Sequence, residues 1–230
     1  MKKGRCLGLV GGLGVGAAVH YYRSLAKAHA YRGYVLDIVM AHAETERVFA
    51  YVQAGDRRGL ANYLVEFIHR LKAAGAEFAA IPAVTPHYCV RELAEITPLP
   101  ILNIFDPLNR ELARKGAKRV GVFGTRFVIE SKLFGLVENA EVCRPQPDEI
   151  ESIHATYTEL VRRCIGTGEQ YRALTDLANK ILQRDRLDAI ILAGTDLALL
   201  FNETNTEFPA IDCAALHLAE IVKAMTAQSA

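Results

Sequence analysis

The sequence predicts an α/β fold built on largely parallel sheets that are covered by helices. Short apolar runs rich in β-forming residues alternate with helical stretches along the chain, which is the strand-helix-strand rhythm of this class. Residues 189–193 read Ala-Ile-Ile-Leu-Ala and are apolar throughout, as expected of a strand buried on both faces. Three segments of the first half are also echoed in the second half. Together these observations predict two similar α/β domains.

The individual elements follow from local patterns. Four apolar residues recur at helical spacing and predict a helix over residues 57–74: Leu60, Leu64, Ile68 and Leu71. Gly75 is expected to end this helix, because glycine readily adopts the left-handed conformation found at helix ends. The predicted strands are residues 6–10, 35–40, 78–84, 101–104, 120–123, 189–193 and 210–212.

The internal repeat sets the predicted domain organisation. The matching segments occur in the same order in both halves: 5–12 with 119–125, 79–85 with 189–195, and 100–104 with 209–213. We therefore predict two pseudo-symmetric domains with a cleft between them. One comprises residues 1–104 with 213–230, and the other comprises residues 105–212.

Composition narrows the range of partners. The 230 residues carry 27 Lys and Arg against 26 Asp and Glu, a formal net charge of +1, so no electrostatic footprint for nucleic acid or an anionic membrane is present. No apolar run reaches the ~18 to 20 residues of a spanning helix, and the first residues lack the apolar core of a signal peptide. We expect a cytoplasmic protein with a small-molecule partner.

The cysteines and acidic residues are scattered. The five cysteines never form a C-x-x-C motif, and no group of His, Cys and carboxylates has metal-ligand spacing. We therefore expect reduced thiols and no bound metal.

Four loops are expected at the carboxyl ends of the predicted strands, where ligands of open α/β sheets bind. They are rich in glycine and threonine and comprise residues 11–16, 85–87, 124–128 and 195–197. Backbone amides at helix N-termini and neighbouring hydroxyl groups favour an anion. The sequence thus predicts a site for a small carboxylate or phosphate.

The first loop also admits a different interpretation. Gly12, Gly14 and Ala17 form a G-x-G-x-x-A pattern after a strand, which is typical of dinucleotide binding. The acidic residue that should end the second strand is missing, because Asp37 falls inside the predicted strand 35–40. Dinucleotide binding is therefore disfavoured, and glycines that simply permit a tight turn and close helix packing explain the pattern as well as small-anion binding does.

The chain resembles the aspartate/glutamate racemase superfamily over nearly its whole length. The resemblance rests on the glycine-rich turn and aromatic pair of residues 11–23, the segment Glu44-Thr45-Glu46-Arg47, residues 124–131 and residues 190–197. It implies a homodimeric, cofactor-independent fold with a cleft that holds a small carboxylate such as aspartate or glutamate. The substrate-binding positions that it implies are Gly12, Gly14, Arg47, Val84, Thr85, Thr125, Val128 and Thr195.

The resemblance also exposes departures. Members of the family use two cysteines on mirror-related loops, which read roughly Cys-Asn-Thr and Gly-Cys-Thr. Here the loops read Ala83-Val84-Thr85 and Ala193-Gly194-Thr195, so Ala83 and Gly194 stand at the cysteine positions. Ala18 and Val128 replace two expected threonines. Neither alanine nor glycine exchanges a proton near neutral pH, so ordinary two-thiol racemisation is not expected.

His87, with Thr85 or Thr195, is the best remaining acid/base candidate, although packing at a helix start is an equally fair interpretation. The other candidates are weaker. Cys89 and Cys213 are alternative thiols, His42 and His217 are alternative bases, and Asp196 is expected to cap a helix or brace its loop. Glu44 and Glu46 could contact an ammonium group, and Arg162 and Arg163 could add positive charge near the site or lie on a solvated face.

The sequence leaves three hypotheses about function open. The first is a divergent enzyme that performs one-sided proton chemistry, such as isomerisation, decarboxylation or elimination, on a small carboxylic acid. The second is a non-catalytic binder of a small anion. The third, which Asp37 disfavours, is a dinucleotide-dependent enzyme.

Overall fold

A computed structural model describes residues 2–227, which form strands, α-helices and short 3₁₀ turns. The strands are β1 (Lys2–Lys3), β2 (Leu7–Gly11), β3 (Tyr34–Val35), β4 (Ile38–His42), β5 (Phe78–Ala80), β6 (Ile101–Leu102), β7 (Arg119–Phe123), β8 (Glu141–Val142), β9 (Ala189–Leu192) and β10 (Ala210–Asp212). The helices are α1 (Val15–Arg32), α2 (Thr45–Gln53), α3 (Arg57–Ala73), α4 (Val90–Ile96), α5 (Phe105–Lys115), α6 (Arg126–Glu130), α7 (Pro147–Arg163), α8 (Gly168–Asp185) and α9 (Cys213–Thr226).

Two four-stranded parallel sheets form the framework, with strand orders β4-β2-β5-β6 and β8-β7-β9-β10. In both, the first strand of the sheet lies between the second and the third. The same order in both sheets confirms the predicted α/β class and the internal repeat. Two short strands, β1 and β3, pair separately from these sheets.

The chain divides into two compact units. Unit 1 contains the described residues up to Asn103 and those from His217 onward, and unit 2 contains Ile104–Leu216. Each unit carries one of the four-stranded sheets. The second crossing between the units falls within α9.

Helix α3 shows how the sequence sets an element. The Asp56 carboxylate accepts a hydrogen bond from the Gly59 amide and caps the N-terminus. The four apolar residues of the predicted stripe are buried, and the helix ends at Ala73, just before Gly75 with a φ of +99°. The predicted helix is therefore confirmed to within one residue.

Several predicted strands differ from the observed ones. The predicted strand 35–40 is two elements: Val35 ends β3, which pairs with β1, and Ile38 begins β4, which pairs with β2. Asp37 therefore precedes β4 instead of lying inside a strand. The predicted strand 78–84 ends at Ala80, because the following Pro82 has no amide hydrogen and the Ala83 amide turns back to the Ile81 carbonyl.

Strand β8 was not predicted. It has two residues in a polar stretch, and it forms only because Glu141 and Val142 pair with Arg119 and Val120 of β7. A strand this short carries no periodic pattern of its own.

Candidate functional site

The first glycine loop of unit 1 is packed against the chain that follows β4. The Ala43 amide donates to the Gly11 carbonyl at 2.8 Å, and the Thr45 hydroxyl donates to the Gly12 carbonyl at 2.7 Å. Gly12 has a φ of +89°, and a Cβ there would lie 3.0 Å from the Ala43 amide nitrogen and closer still to its carbonyl oxygen. Gly12 is thus required by space and backbone conformation.

Gly14, with a φ of +132°, is the N-cap residue of α1, and the Ala18 amide donates to its carbonyl. Strand β4 ends at His42, so the end of the second strand still lacks the carboxylate of a dinucleotide site.

Arg47 lies in the first turn of α2, after the carboxyl end of β4. Its guanidinium carbon stands 4.7 Å from the centre of the Tyr63 ring, and the Tyr63 hydroxyl accepts a hydrogen bond from the Glu44 amide. Arg47 is exposed and forms no ion pair within residues 2–227. The first turn of a helix already carries partial positive charge, so an unpaired cation there favours an anion.

The loop after β5 begins a 3₁₀ turn, Thr85–Cys89. Ala83 and Val84 are buried, whereas Thr85 is half-buried. In the part of the chain that the structure describes, no group hydrogen-bonds to the Thr85 hydroxyl. The Thr85 hydroxyl, which has no hydrogen-bond partner in residues 2–227, and the Arg47 guanidinium, which has no ion-pair partner there, thus follow β5 and β4. These two strands lie on either side of β2.

His87 is buried within this turn. Its Nδ1 lies 2.8 Å from the Ala83 carbonyl oxygen, which can only accept, so Nδ1 carries the proton and Nε2 is the acceptor nitrogen of the neutral ring. Burial lowers the pKa of His87 to about 4, against the hydrogen bonds with Ala83 and Val84. His87 is therefore neutral near pH 7.

His217 lies beside His87, with the two ring centres 6.4 Å apart. Its Nε2 donates to the Leu102 carbonyl at 2.9 Å, and its Nδ1 lies 3.1 Å from the Tyr21 hydroxyl. Burial, then repulsion by His87, lower the pKa of His217 to about 3. Both ring nitrogens of His217 take part in internal hydrogen bonds, which hold the ring beside His87.

In unit 2, the loop after β7 is hydrogen-bonded to the helix that follows it. The Thr125 hydroxyl accepts a hydrogen bond from the Val128 amide at 3.2 Å and caps α6, while Val128 is fully buried. A Cβ on Gly124 would lie 3.1 Å from the Ala193 carbonyl oxygen, so the loops after β7 and β9 adjoin. The Thr125 oxygen thus caps its own helix, and its hydroxyl proton can still be donated to another group.

The loop after β9 is covered by a residue that the sequence patterns did not indicate. Tyr157 of α7 lies over Gly194, with its hydroxyl 3.5 Å from Asp196 Oδ2. Thr195 and Asp196 are buried beneath it. An aromatic residue on a predicted helix is typical of ordinary core packing, so Tyr157 itself gave no indication of this position. Gly194 was the one feature of the sequence to indicate that a large neighbour could occupy the space.

The alternative thiols are buried. The Cys89 thiol donates to the Pro86 carbonyl, and burial raises its pKa to about 12. Burial also raises the pKa of Cys213 far above its usual range. All five cysteines are unpaired thiols, and neither Cys89 nor Cys213 is a thiolate near neutral pH.

The remaining candidates lie on exposed surfaces. His42 lines a mostly apolar pocket of about 320 Å³ together with Gly12. Glu44 and Glu46 are exposed. Arg162 and Arg163 both pair with Glu159 on their own helix, which agrees with a solvated face. Among residues 2–227, no cluster of His, Cys, Asp and Glu could hold a metal ion, and no helix is both long and apolar enough to cross a membrane.

The fold and the loops define a class of α/β proteins with a repeated parallel sheet and glycine- and threonine-rich loops at the carboxyl ends of the strands. The sequence profile of the Asp/Glu/Hydantoin racemase family matches residues 10–221, and the chain belongs to this family. The resemblance identified in the sequence is thereby confirmed.

Solved structures share the same fold. A Yersinia pestis protein assigned to the Asp/Glu racemases has a TM-score of 0.79 at 23% identity, covering 95% of this chain and 98% of its own. An aspartate racemase homologue from Pyrococcus horikoshii OT3 has a TM-score of 0.76 at 20% identity, with 99% and 100% covered. The Picrophilus torridus aspartate racemase gives 0.73 at 20% identity, with 99% and 96% covered.

Proposed function

We propose that the protein binds a small carboxylic acid at the loops of unit 1 and acts on it by proton chemistry that does not use two thiols. The observation that carries this proposal is Arg47, an exposed cation in a helical first turn with no carboxylate partner among residues 2–227. A charged donor in this position suits a carboxylate. The uncommitted Thr85 hydroxyl adds a second donor on the same edge of the sheet.

Family membership supports the chemical class. The related structures include an aspartate racemase, and aspartate is a small acid with two carboxylates. The positions that the resemblance assigns to two cysteines hold Ala83 and Gly194, and the buried thiols of Cys89 and Cys213 stay protonated. A racemase-family protein without these thiols needs a different group to move a proton.

His87 is the group that we assign to this role. Its Nδ1 proton is fixed by the Ala83 carbonyl, so the neutral ring offers Nε2 as a proton acceptor. In the proposed step, Nε2 takes a proton from the carbon next to the ligand carboxylate, and Arg47 and Thr85 hold that carboxylate. We propose no metal, cofactor or nucleic acid in this reaction. We also propose that the protein is a homodimer and that it is cytoplasmic.

A second candidate function is a non-catalytic binder of the same ligand. The specific observation in its favour is the low pKa of His87, about 4, because a group with this pKa is a weak base at neutral pH. In this case Arg47 and Thr85 bind the ligand and no bond is broken.

Proton exchange in D₂O separates the two candidates. The protein is incubated with each enantiomer of aspartate and glutamate and with small dicarboxylic acids, and loss of the α-proton signal is followed by NMR. The test variant is His87→Asn, whose amide nitrogen can still donate to the Ala83 carbonyl but which lacks Nε2. The matched control is His69→Asn, since His69 is exposed on α3.

Exchange by the wild type and by His69→Asn, but not by His87→Asn, supports the enzyme. Thermal stabilisation by these acids without exchange supports the binder. If neither signal appears with any of the acids, the proposed ligand class is wrong.

A further inference from the structure

The space beside Gly194 is filled by the ring of Tyr157. A Cβ on Gly194 would lie 2.6 Å from Cζ and 2.9 Å from Cδ2 of this ring, and closer still to Cε2. The Gly194 backbone has a φ of −120° and a ψ of 112°, which any residue adopts. Glycine is therefore required here by the neighbouring ring and not by backbone conformation.

The helix that carries Tyr157 is held against α8. Near the start of α7, buried Glu149 accepts hydrogen bonds from Arg184 of α8 at 2.6 and 3.0 Å and lies 3.0 Å from the Lys180 ammonium. Burial opposes ionisation of Glu149, but the hydrogen bonds from Arg184, Gln146 and Lys180 outweigh it and lower its pKa to about 2. The Glu149 carboxylate thus ties α7 to α8.

The polar atoms of the Tyr157 region are directed at one another. The Tyr157 hydroxyl faces Asp196, which is fully buried, and Thr195 is 1% exposed. Burial, then the charge of Asp196, raise the pKa of Tyr157 well above its usual value near 10, so the phenol stays protonated. At the carboxyl end of β9, the neutral phenol of Tyr157 therefore lies over the buried carboxylate of Asp196.

We infer that Tyr157 is a specificity-determining residue, whose ring takes the place of a side chain at position 194 and closes the carboxyl end of β9 to ligand. This inference deepens the proposed function, on which it rests, because it confines proton chemistry to the groups of unit 1. Residues 157 and 194 form a size-matched pair. Replacing Gly194 alone creates an overlap, whereas shortening Tyr157 as well opens a space that a small molecule can enter.

The inference is tested with a thiol placed in this space. We compare Gly194→Cys, Gly194→Cys with Tyr157→Ala, and Gly194→Cys with Tyr157→Phe, the last keeping the ring and losing only the hydroxyl. Tm is measured for each variant, and Tyr157→Ala alone corrects for loss of the ring. Gly168→Ala is the control glycine, because a Cβ there meets only the Arg172 side chain, at 3.9 Å.

Alkylation reports whether the space is open. Iodoacetamide and iodoacetate have the same size, and in both the thiolate sulfur forms a bond to carbon while iodide leaves. Peptide mass spectrometry separates labelling of the introduced thiol from labelling of the native cysteines, of which Cys164 is exposed. The iodoacetate rate relative to iodoacetamide reports how readily the opened space admits a small carboxylate.

We expect Gly194→Cys to lower Tm by about 5 °C or more, because the added side chain overpacks the space that the Tyr157 ring fills. In the Tyr157→Ala background, Gly194→Cys should lower Tm much less than it does in the wild-type background, and the introduced thiol should label about tenfold faster or more, because labelling then needs no local opening. Gly194→Cys with Tyr157→Phe should show neither the smaller loss of Tm nor the faster labelling.

If Gly194→Cys does not fold, comparison of the Ala and Phe pairs still decides the matter, because only the Ala pair should then fold and label. A wild-type Tm for Gly194→Cys, or equal labelling with Ala and Phe at 157, overturns the inference. These readouts need no natural ligand. Failure of the proposed function, seen as no carboxylate binding by the wild type, is therefore distinguishable from failure of this inference.

Discussion

The Tyr21 hydroxyl donates a 3.1 Å hydrogen bond to Nδ1 of His217, although the two residues are 196 positions apart. The direction follows from the other ring nitrogen, because Nε2 faces the Leu102 carbonyl oxygen, which can only accept. Nε2 thus carries the proton of the neutral imidazole, and Nδ1 is the acceptor. This chain of hydrogen bonds ties α1, α9 and β6 together within unit 1.

Tyr21→Phe should destabilise the protein through this bond. The substitution keeps the buried ring but leaves Nδ1 of His217 without a donor, and an unsatisfied buried polar group costs about 1 to 3 kcal/mol. Urea unfolding should show this loss in the free energy of unfolding. The control is Tyr22→Phe, because the neighbouring tyrosine is 47% exposed. Equal stability of the two variants would show that the His217 bond contributes nothing.

Acid should destabilise the fold through His87 and His217. Their pKa values are lowered by burial from 6.5 to about 4 and about 3, so the unfolded chain binds protons that the folded chain does not. The stabilisation is complete above about pH 6.5 and is lost progressively as the pH falls towards the folded pKa values. Urea unfolding between about pH 7.5 and pH 5 should show a decrease of a few kcal/mol.

The source of this pH dependence is tested with substitutions. His87→Asn removes one of the two groups, so the slope of stability against pH should become shallower. His69→Asn removes an exposed histidine and should leave the slope unchanged. A slope that is the same in all three proteins would assign the acid sensitivity to other groups.

Arg47→Ala should weaken binding of a small carboxylate without unfolding the protein. A charged hydrogen bond contributes about 1.5 to 3 kcal/mol, so affinity measured by calorimetry or thermal shift should fall about tenfold or more. Stability should change by less than about 1 kcal/mol, because Arg47 is exposed and a cation–π contact at an exposed site contributes about 0.5 to 1 kcal/mol. Arg91→Ala on α4 is the matched exposed control. Unchanged affinity in Arg47→Ala would remove this residue from the site.

Gly12→Ala should be strongly destabilising. The added methyl group would overlap the backbone of Ala43 at a φ of +89°, and we expect a loss of about 2 kcal/mol or more in the free energy of unfolding. Gly168→Ala, in open surroundings, should change it by no more than about 0.5 kcal/mol. The prediction fails if thermal unfolding does not distinguish these two variants.

Thr125→Val should lower stability by about 1 kcal/mol, because it removes the oxygen that caps α6. Thr125→Ser keeps this oxygen and should restore most of the loss. Thermal unfolding of the three proteins checks the order. If Thr125 instead serves a ligand, both variants will be equally stable and differ only in carboxylate binding.

The fold was largely predictable because its signals are local or repetitive. Apolar runs marked the central strands, and the repeated segments anticipated the shared strand order of the two sheets. Strand β8 and the division between β3 and β4 were not predictable, because those short segments become strands only through pairing with β7, β1 and β2. Pairing of this kind leaves no period in the segment itself.

The candidate site, like the fold, was predictable only where its signals are local in the sequence. The sequence by itself determined the fold class, the positions of the glycine and threonine loops, and the absence of thiols at residues 83 and 194. Only the tertiary structure decided that His87 is buried against the Ala83 carbonyl, that Thr125 serves as a cap, and that Tyr157 fills the space beside Gly194. Burial, hydrogen bonding and steric overlap depend on residues distant in the chain, so no local pattern encodes them.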